Sequence, residues 1–190
     1  EFTKLVEQRK LKKEEIHGFV AVTDPHFTEY HTLISALSDF PHIRTAVCNA
    51  VYWREEGAGP VLETALALAL AHEILLDAQK HGVSNEMPAS KFQFNLGIGA
   101  DYFLEIARLR SINTLWKSIA EKYGNFSPAF LFAVTSNYQL TWLDQNNNLL
   151  RNTNAAMAAA CGGANGLSIL PHSIGNTTER DSRIARNIAL

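Results

Sequence analysis

The sequence predicts a parallel α/β fold: part of a (β/α)8 TIM-type barrel with about five strand–helix units, or an open doubly wound sheet. Three observations predict it. Short apolar runs rich in β-branched residues alternate with longer segments of helical spacing. The short runs carry few polar interruptions, as strands covered on both faces do. Prolines open and glycines close several of the helical segments.

The elements follow in order. Residues 18–24 (GFVAVTD) form a strand that ends at Asp-Pro, and 25–40 form a helix that begins at that proline. Residues 42–50 (HIRTAVCNA) form the second strand, followed by a charged turn and a long apolar helix over 60–82. Residues 91–99 (KFQFNLGIG) form the third strand. Asp101 caps a helix over 101–124, which Gly124 ends. Residues 129–136 form the fourth strand and 147–163 a helix that stops at paired glycines. A fifth strand spans 165–171, and a last helix begins at 181. Five units are too few to close an eight-stranded barrel, so a barrel would be incomplete here. The chain opens inside a charged run and stops inside a helical segment without a stop signal, which predicts a piece of a longer protein. Its open sheet edges predict self-association.

Composition excludes several classes. The 190 residues are 46% hydrophobic and 19% charged, enough for one sizeable core. A net charge of −2, with no basic block, argues against a nucleic-acid partner. The mixed-charge run RKLKKEE is a solvated linker or helix face. Cys48 and Cys161 stand far apart without metal or redox spacing, which fits a reducing cytoplasm. The longest apolar run, residues 65–71, is too short to span a membrane.

Motifs of catalytic type are weak. Gly97 and Gly99 follow a strand, but Tyr102 stands where a dinucleotide fingerprint needs its third glycine. Close backbone packing explains them better. Asp24, His26, Glu29 and His31 cluster in DPHFTEYH, yet the histidines are five apart and no zinc spacing is present, so no metal site is expected. GGANG (162–166) turns the chain between helix and strand, and His72 is a packed or rim histidine of a core-facing helix. Residues alone therefore reach a fold and stop short of a function.

Longer stretches go further. REEGAGPVLETALALA (54–69), NLGIGADYFLEIARLRSINTLW (95–116), LTWLDQNNNLLRNTNAAMAAACGGANGL (140–167) and SRIARN (182–187) resemble the methylmalonyl-CoA mutase family, in the right order and from about residue 50 onward. The resemblance implies a (β/α)8 barrel, with residues 1–190 a fragment of it and a cobalamin-binding domain outside this stretch. It implies the adenosylcobalamin-dependent interconversion of methylmalonyl-CoA and succinyl-CoA, in which the cofactor supplies the radical.

The same resemblance marks departures. Catalytic chains of the family end the strand before this motif in Tyr-His, and Val51 and Tyr52 hold those places here. Lys91 and Gln93 replace an Arg and a Ser that touch coenzyme A, Phe132 and Val134 replace a His and a Gln that line its path, and Asn165 replaces a Gln. Lys91 keeps a charge without the bidentate fork, and Asn165 keeps an amide. Gly57, Glu63, Gly97, Arg110, Trp116, Asn148 and Arg151 keep their family identities. Scaffold retained and chemistry removed resembles the small, non-catalytic subunit of the heterodimeric bacterial enzyme. Such a subunit partners a catalytic large subunit in the cytoplasm; this chain would have no catalytic residues and would bind no cofactor itself. Two other readings stay open. One is an active acyl-CoA mutase with an unusual pocket, using Tyr52 on the thioester carbonyl. The other is a barrel serving as an interaction module for a different enzyme.

Overall fold

The computed structural model describes residues 2–22, 27–83, 91–124 and 128–190. Every strand pairing in it is parallel. Strand β1 (Gly18–Phe19) pairs with β2 (Ile43–Arg44), and β3 (Ala46–Asn49), β4 (Phe92–Ile98), β5 (Phe130–Thr135) and β6 (Gly166–Ser168) lie side by side in chain order. Only Thr45 separates β2 from β3. Neighbours in space are thus neighbours in sequence, with no reversal of direction along the sheet. A doubly wound sheet has such a reversal and a barrel does not, so the order is that of a barrel segment.

The helices are α1 (Phe2–Gln8), α2 (Tyr30–Ala36), α3 (Val51–Glu55), α4 (Pro60–Lys80), α5 (Tyr102–Ala120), α6 (Asn147–Gly162) and α7 (Glu179–Ala189). Helices α4 and α5 begin as the sequence predicts. Pro60 occupies the first turn of α4, and the Asp101 carboxylate accepts the Leu104 N–H at 3.3 Å. Gly124 and Gly163 follow α5 and α6 in the left-handed region, at φ 76° and 88°.

Strand alternation decides which side chains meet the helices. Phe92, Phe94, Leu96 and Ile98 of β4 face them, with Leu131 and Ala133 of β5 and Ala46 and Cys48 of β3. Trp116 of α5 is fully buried, its ring 4.4 Å from Phe92 and 5.6 Å from Phe94, centroid to centroid. Alanines 67, 71 and 78 of α4 and 155, 158 and 159 of α6 present small faces to this core, so the helices lie close on the sheet. A smaller core joins Val6, Leu37, Phe40 and Ile43.

Several expectations shift. The helix predicted over 25–40 is the shorter α2, and its first residues lie outside the described ones. Phe40 leaves that helix to pack in the smaller core. Helix α1 was hidden by its charged neighbours, although Val6 gives it a buried anchor. The turn after β3 contains α3. The last helix begins at Glu179 rather than 181, because Thr178 and Asp181 form a capping box.

Asp181 is held by three donors: the Thr178 N–H at 2.9 Å, the Thr178 hydroxyl at 2.8 Å and the Ser173 hydroxyl at 2.9 Å. The Thr178 N–H, the Thr178 hydroxyl and the Ser173 hydroxyl together bring its carboxyl down from 3.8 to about 2. A depressed folded value stabilises the fold above the unfolded value and is lost as pH falls through the folded one. The stability contributed by Asp181 is therefore present above pH 3.8 and disappears toward about pH 2. Acid titration of Asp181→Asn, followed by circular dichroism, is expected to show a shallower loss of stability in that window than the wild type. Trp116→Ala is expected to destabilise the fold by about 3–5 kcal/mol, measured as a lower urea midpoint.

Candidate functional site

At the C-terminal end of β4, where parallel α/β sheets place their sites, three buried charged side chains and one partly buried one come together. Arg108 of α5 donates through Nη1 to Glu63 Oε2 at 3.0 Å and through Nε and Nη2 to Glu105 Oε2 at 2.8 and 2.6 Å. Its Nη2 also reaches the Gly97 carbonyl at 2.6 Å. The backbone N–H groups of Gly97 and Gly99 donate to Glu63 Oε1 and Glu105 Oε1, at 2.6 and 2.8 Å. Arg54 of α3 completes the set, donating to Glu105 Oε1 at 2.9 Å and to the Ala58 carbonyl at 3.2 Å. Burial pushes the Glu63 carboxyl up to about 7, against the opposing pull of Arg108 and the Gly97 N–H. A Cβ at Gly97 or Gly99 would collide with the Arg54 side chain. The two glycines thus admit an arginine and two carboxylates rather than a phosphate.

The inner face of the curled sheet carries the alternate residues. Register aligns Val47, Gln93 and Phe130 in one row, and Asn49, Asn95, Phe132 and Gly166 in the next. Gly97, Val134 and Ser168 make a third. Apolar side chains fill much of this face. Phe19 of β1 meets Phe132 of β5 at 5.6 Å between centroids, and the Arg44 guanidinium lies 3.7 Å above the Phe130 ring. Gly166 leaves the space that Phe132 occupies.

The residues singled out in the sequence fall at opposite ends of this face. Val51 and Tyr52 start α3 just beyond β3, at the C-terminal end, and Tyr52 is 52% exposed. Lys91 precedes β4 at the other end. It is 5% exposed, and its ammonium donates to the carbonyls of Phe40 and of Ile43, the latter at 2.8 Å. Burial pulls its pKa below the ordinary value. Gln93 is fully buried and donates to Asn95 Oδ1 at 2.7 Å; its own Oε1 has no hydrogen-bond partner. Asn165 precedes β6, where its Oδ1 accepts the Leu131 N–H and its N–H donates to the Leu131 carbonyl, both at 2.8 Å.

The Methylmalonyl-CoA mutase family profile matches residues 24–190. The chain belongs to the methylmalonyl-CoA mutase family. It is 33% identical over 184 residues to the "Methylmalonyl-CoA mutase small subunit" of Porphyromonas gingivalis, covering 93% of this chain and 29% of that protein. It is 34% identical over 154 residues to the protein of the same name from Streptomyces virginiae, covering 78% and 25%. It is 29% identical over 159 residues to the "Methylmalonyl-CoA mutase large subunit" of Propionibacterium freudenreichii, covering 80% and 22%. The chain spans less than a third of the length of each of these relatives.

Seen as a mutase-family barrel segment, the chain keeps its retained residues in structural contacts. Glu63 and Gly97 belong to the buried charge cluster, and Gly57, at φ 97°, lies against the Tyr138 ring. Asn148 bridges Thr141 and the His172 carbonyl. Arg110 is an exposed residue that donates to the Cys161 carbonyl at 3.0 Å. The buried arginine is Arg108, which sequence reasoning missed along with Glu105 and Arg54. For Glu105 and Arg108, three residues apart among apolar neighbours on α5, that spacing was the available signal; Arg54, on α3, carried none.

Other candidates disperse. Asp24 and His26 lie outside the described residues. His31 is brought instead against Asp77 of α4 and His81, the residue just past the end of that helix. His72 is an exposed rim residue whose ring meets Tyr123 at 5.8 Å. Cys48 is buried, which pushes its thiol up, and Cys161 is exposed. No helix among the described residues is long and apolar enough to cross a membrane.

Removing Arg108 would leave Glu63 and Glu105 facing one another without their shared cation. Arg108→Met is expected to lower stability by about 3–5 kcal/mol, the scale of a broken buried ion pair, measured by urea unfolding.

Proposed function

We infer that the chain is part of the small subunit of a heterodimeric methylmalonyl-CoA mutase, in which it performs no chemistry and supports a catalytic large subunit. Residues 1–190 then belong to the acyl-CoA mutase barrel rather than to a cobalamin-binding domain, in a cytoplasmic protein. The observation that carries this reading is the apolar lining of the inner face at β5. Phe132, at a position where catalytic chains have a histidine, packs against Phe19 and occupies the space over Gly166.

The candidate ligand groups do not fit coenzyme A. Lys91 already donates to two backbone carbonyls, and Gln93 is bonded to Asn95 with no exposed surface. A phosphate would have to displace these contacts and then desolvate. Nor do the residues at the end of β3 fit a place beside adenosylcobalamin. Val51 offers no polar side-chain atom, and the Tyr52 phenol has neither the shape nor the basicity of a histidine. The rearrangement would belong to the large subunit, with the radical chemistry that adenosylcobalamin would supply there. The names of the small-subunit relatives support the same assignment.

Affinity capture of the protein from its native cells, with mass spectrometry of the partners, is the test. A near-stoichiometric catalytic mutase chain is expected, together with no methylmalonyl-CoA binding by the isolated small subunit in calorimetry. Recovery of the protein without such a chain, coupled with acyl-CoA binding, would overturn the reading in favour of an independent mutase.

A further inference from the structure

Helices α2 and α4 bring together three side chains of metal-ligand type from positions far apart in sequence. His31 lies in the first turn of α2. Asp77 is in the last turn of α4, and His81 follows it directly, four residues on and therefore over the same face. His31 Nδ1 is 3.0 Å from Asp77 Oδ2, and His81 Nδ1 is 3.1 Å from Asp77 Oδ1. The two imidazoles stack at 3.6 Å between centroids, 12° from parallel. One candidate ligand atom from each residue lies within 4.8 Å of the other two. The side chains of His31 and Asp77 are 24% and 17% exposed, so the site is recessed yet reachable.

We propose that His31, Asp77 and His81 bind a divalent transition-metal ion of the zinc type and thereby tie α2 to α4. The donor set decides the class of ion. Two imidazole nitrogens and one carboxylate suit zinc and its borderline neighbours, whereas calcium and magnesium prefer oxygen alone. Bonds of about 2.1 Å at tetrahedral or octahedral angles place adjacent donors roughly 3.0–3.4 Å apart; the two nitrogen–oxygen pairs stand at 3.0 and 3.1 Å, and the stacked rings need to turn apart to aim both nitrogens at one ion. Two neutral Nδ1–H tautomers could hold the same carboxylate by hydrogen bonding alone, and zinc titration separates the two readings. One metal ion satisfies all three groups with both rings neutral.

The surroundings favour the same assignment. The His31 backbone N–H donates to Asp77 Oδ2 at 2.7 Å, an outer contact that fixes the carboxylate. His81 Nδ1 also lies 3.0 Å from the Asp77 carbonyl, an intrahelical bond that metal binding would release. Three protein ligands leave a further position for water, as in open zinc sites. The contact joins the strand–helix units on either side of β2 and β3.

The test is a zinc titration of the metal-free protein by calorimetry, repeated with Co2+ to read nitrogen ligation from its visible bands. One Zn2+ per chain is expected, with a rise in Tm. His31→Ala and His81→Ala are each expected to weaken binding at least roughly tenfold, since even changes behind the ligands act on that scale. His31→Asn and His81→Gln keep polar side chains and are expected to lose binding with unchanged circular dichroism. The other stacked pair, His17 and His42, lies 4.5 Å apart between centroids and supplies the control. His42→Ala should leave the zinc affinity unchanged. No saturable binding by the wild type would overturn the proposal. So would equal affinity in the His31→Asn/His81→Gln double variant, or binding that follows His42.

Discussion

The buried contact among Glu63, Arg108, Glu105 and Arg54 sets the shape of everything near it. It draws helices α3, α4 and α5 onto the end of one strand, β4. Each carboxylate needs its full set of donors, because a charge taken from water and left half-paired is among the costliest defects a fold can carry. That requirement reaches outward. Arg54 must cross the strand end, so Gly97 and Gly99 can carry no side chain. Helix α3 must start directly after β3 to deliver Arg54, which fixes where Val51 and Tyr52 stand.

The cluster and the inner face answer to different constraints. The first is an all-or-nothing electrostatic arrangement that tolerates little exchange. The second is a packing problem with several solutions. Phe132 beside Gly166 and Arg44 over Phe130 are one way to fill a concave sheet, and polar groups around a ligand are another. A chain of this family can therefore exchange its lining while its frame stays unchanged. The small-subunit assignment rests on that division.

Much of the fold was legible from residue pattern alone. Pro60, Asp101, Gly124 and Gly163 act locally, and each stands where its local chemistry places it. Helix α7 was misjudged by two residues because Thr178 and Asp181 cap it reciprocally, a pairing hidden within a polar run. Periodicity left the barrel and the doubly wound sheet equally open, since both alternate strands and helices. Strand adjacency separates them, and adjacency is not written in any single element. Among polar residues, Glu63 stood out by family identity, whereas Arg108 and Glu105 did not. His31, read with its sequence neighbours, looked like a polar helix start; its partners Asp77 and His81 belong to the end of another helix and the residue that caps it. Clusters built across elements are visible only once the chain is folded.

The consecutive strand order has a bearing on how the molecule assembles. Each strand from β4 to β6 pairs with the strand that precedes it in the chain, so the loop closed at each step contains one or two helices. No strand has to wait for a distant partner. As the chain leaves the ribosome, each new strand meets an edge already in place, and the sheet can lengthen in the direction of synthesis. Phe130 and Phe132 join the inner face as β5 arrives, beside Gln93 and Asn95 already in place on β4.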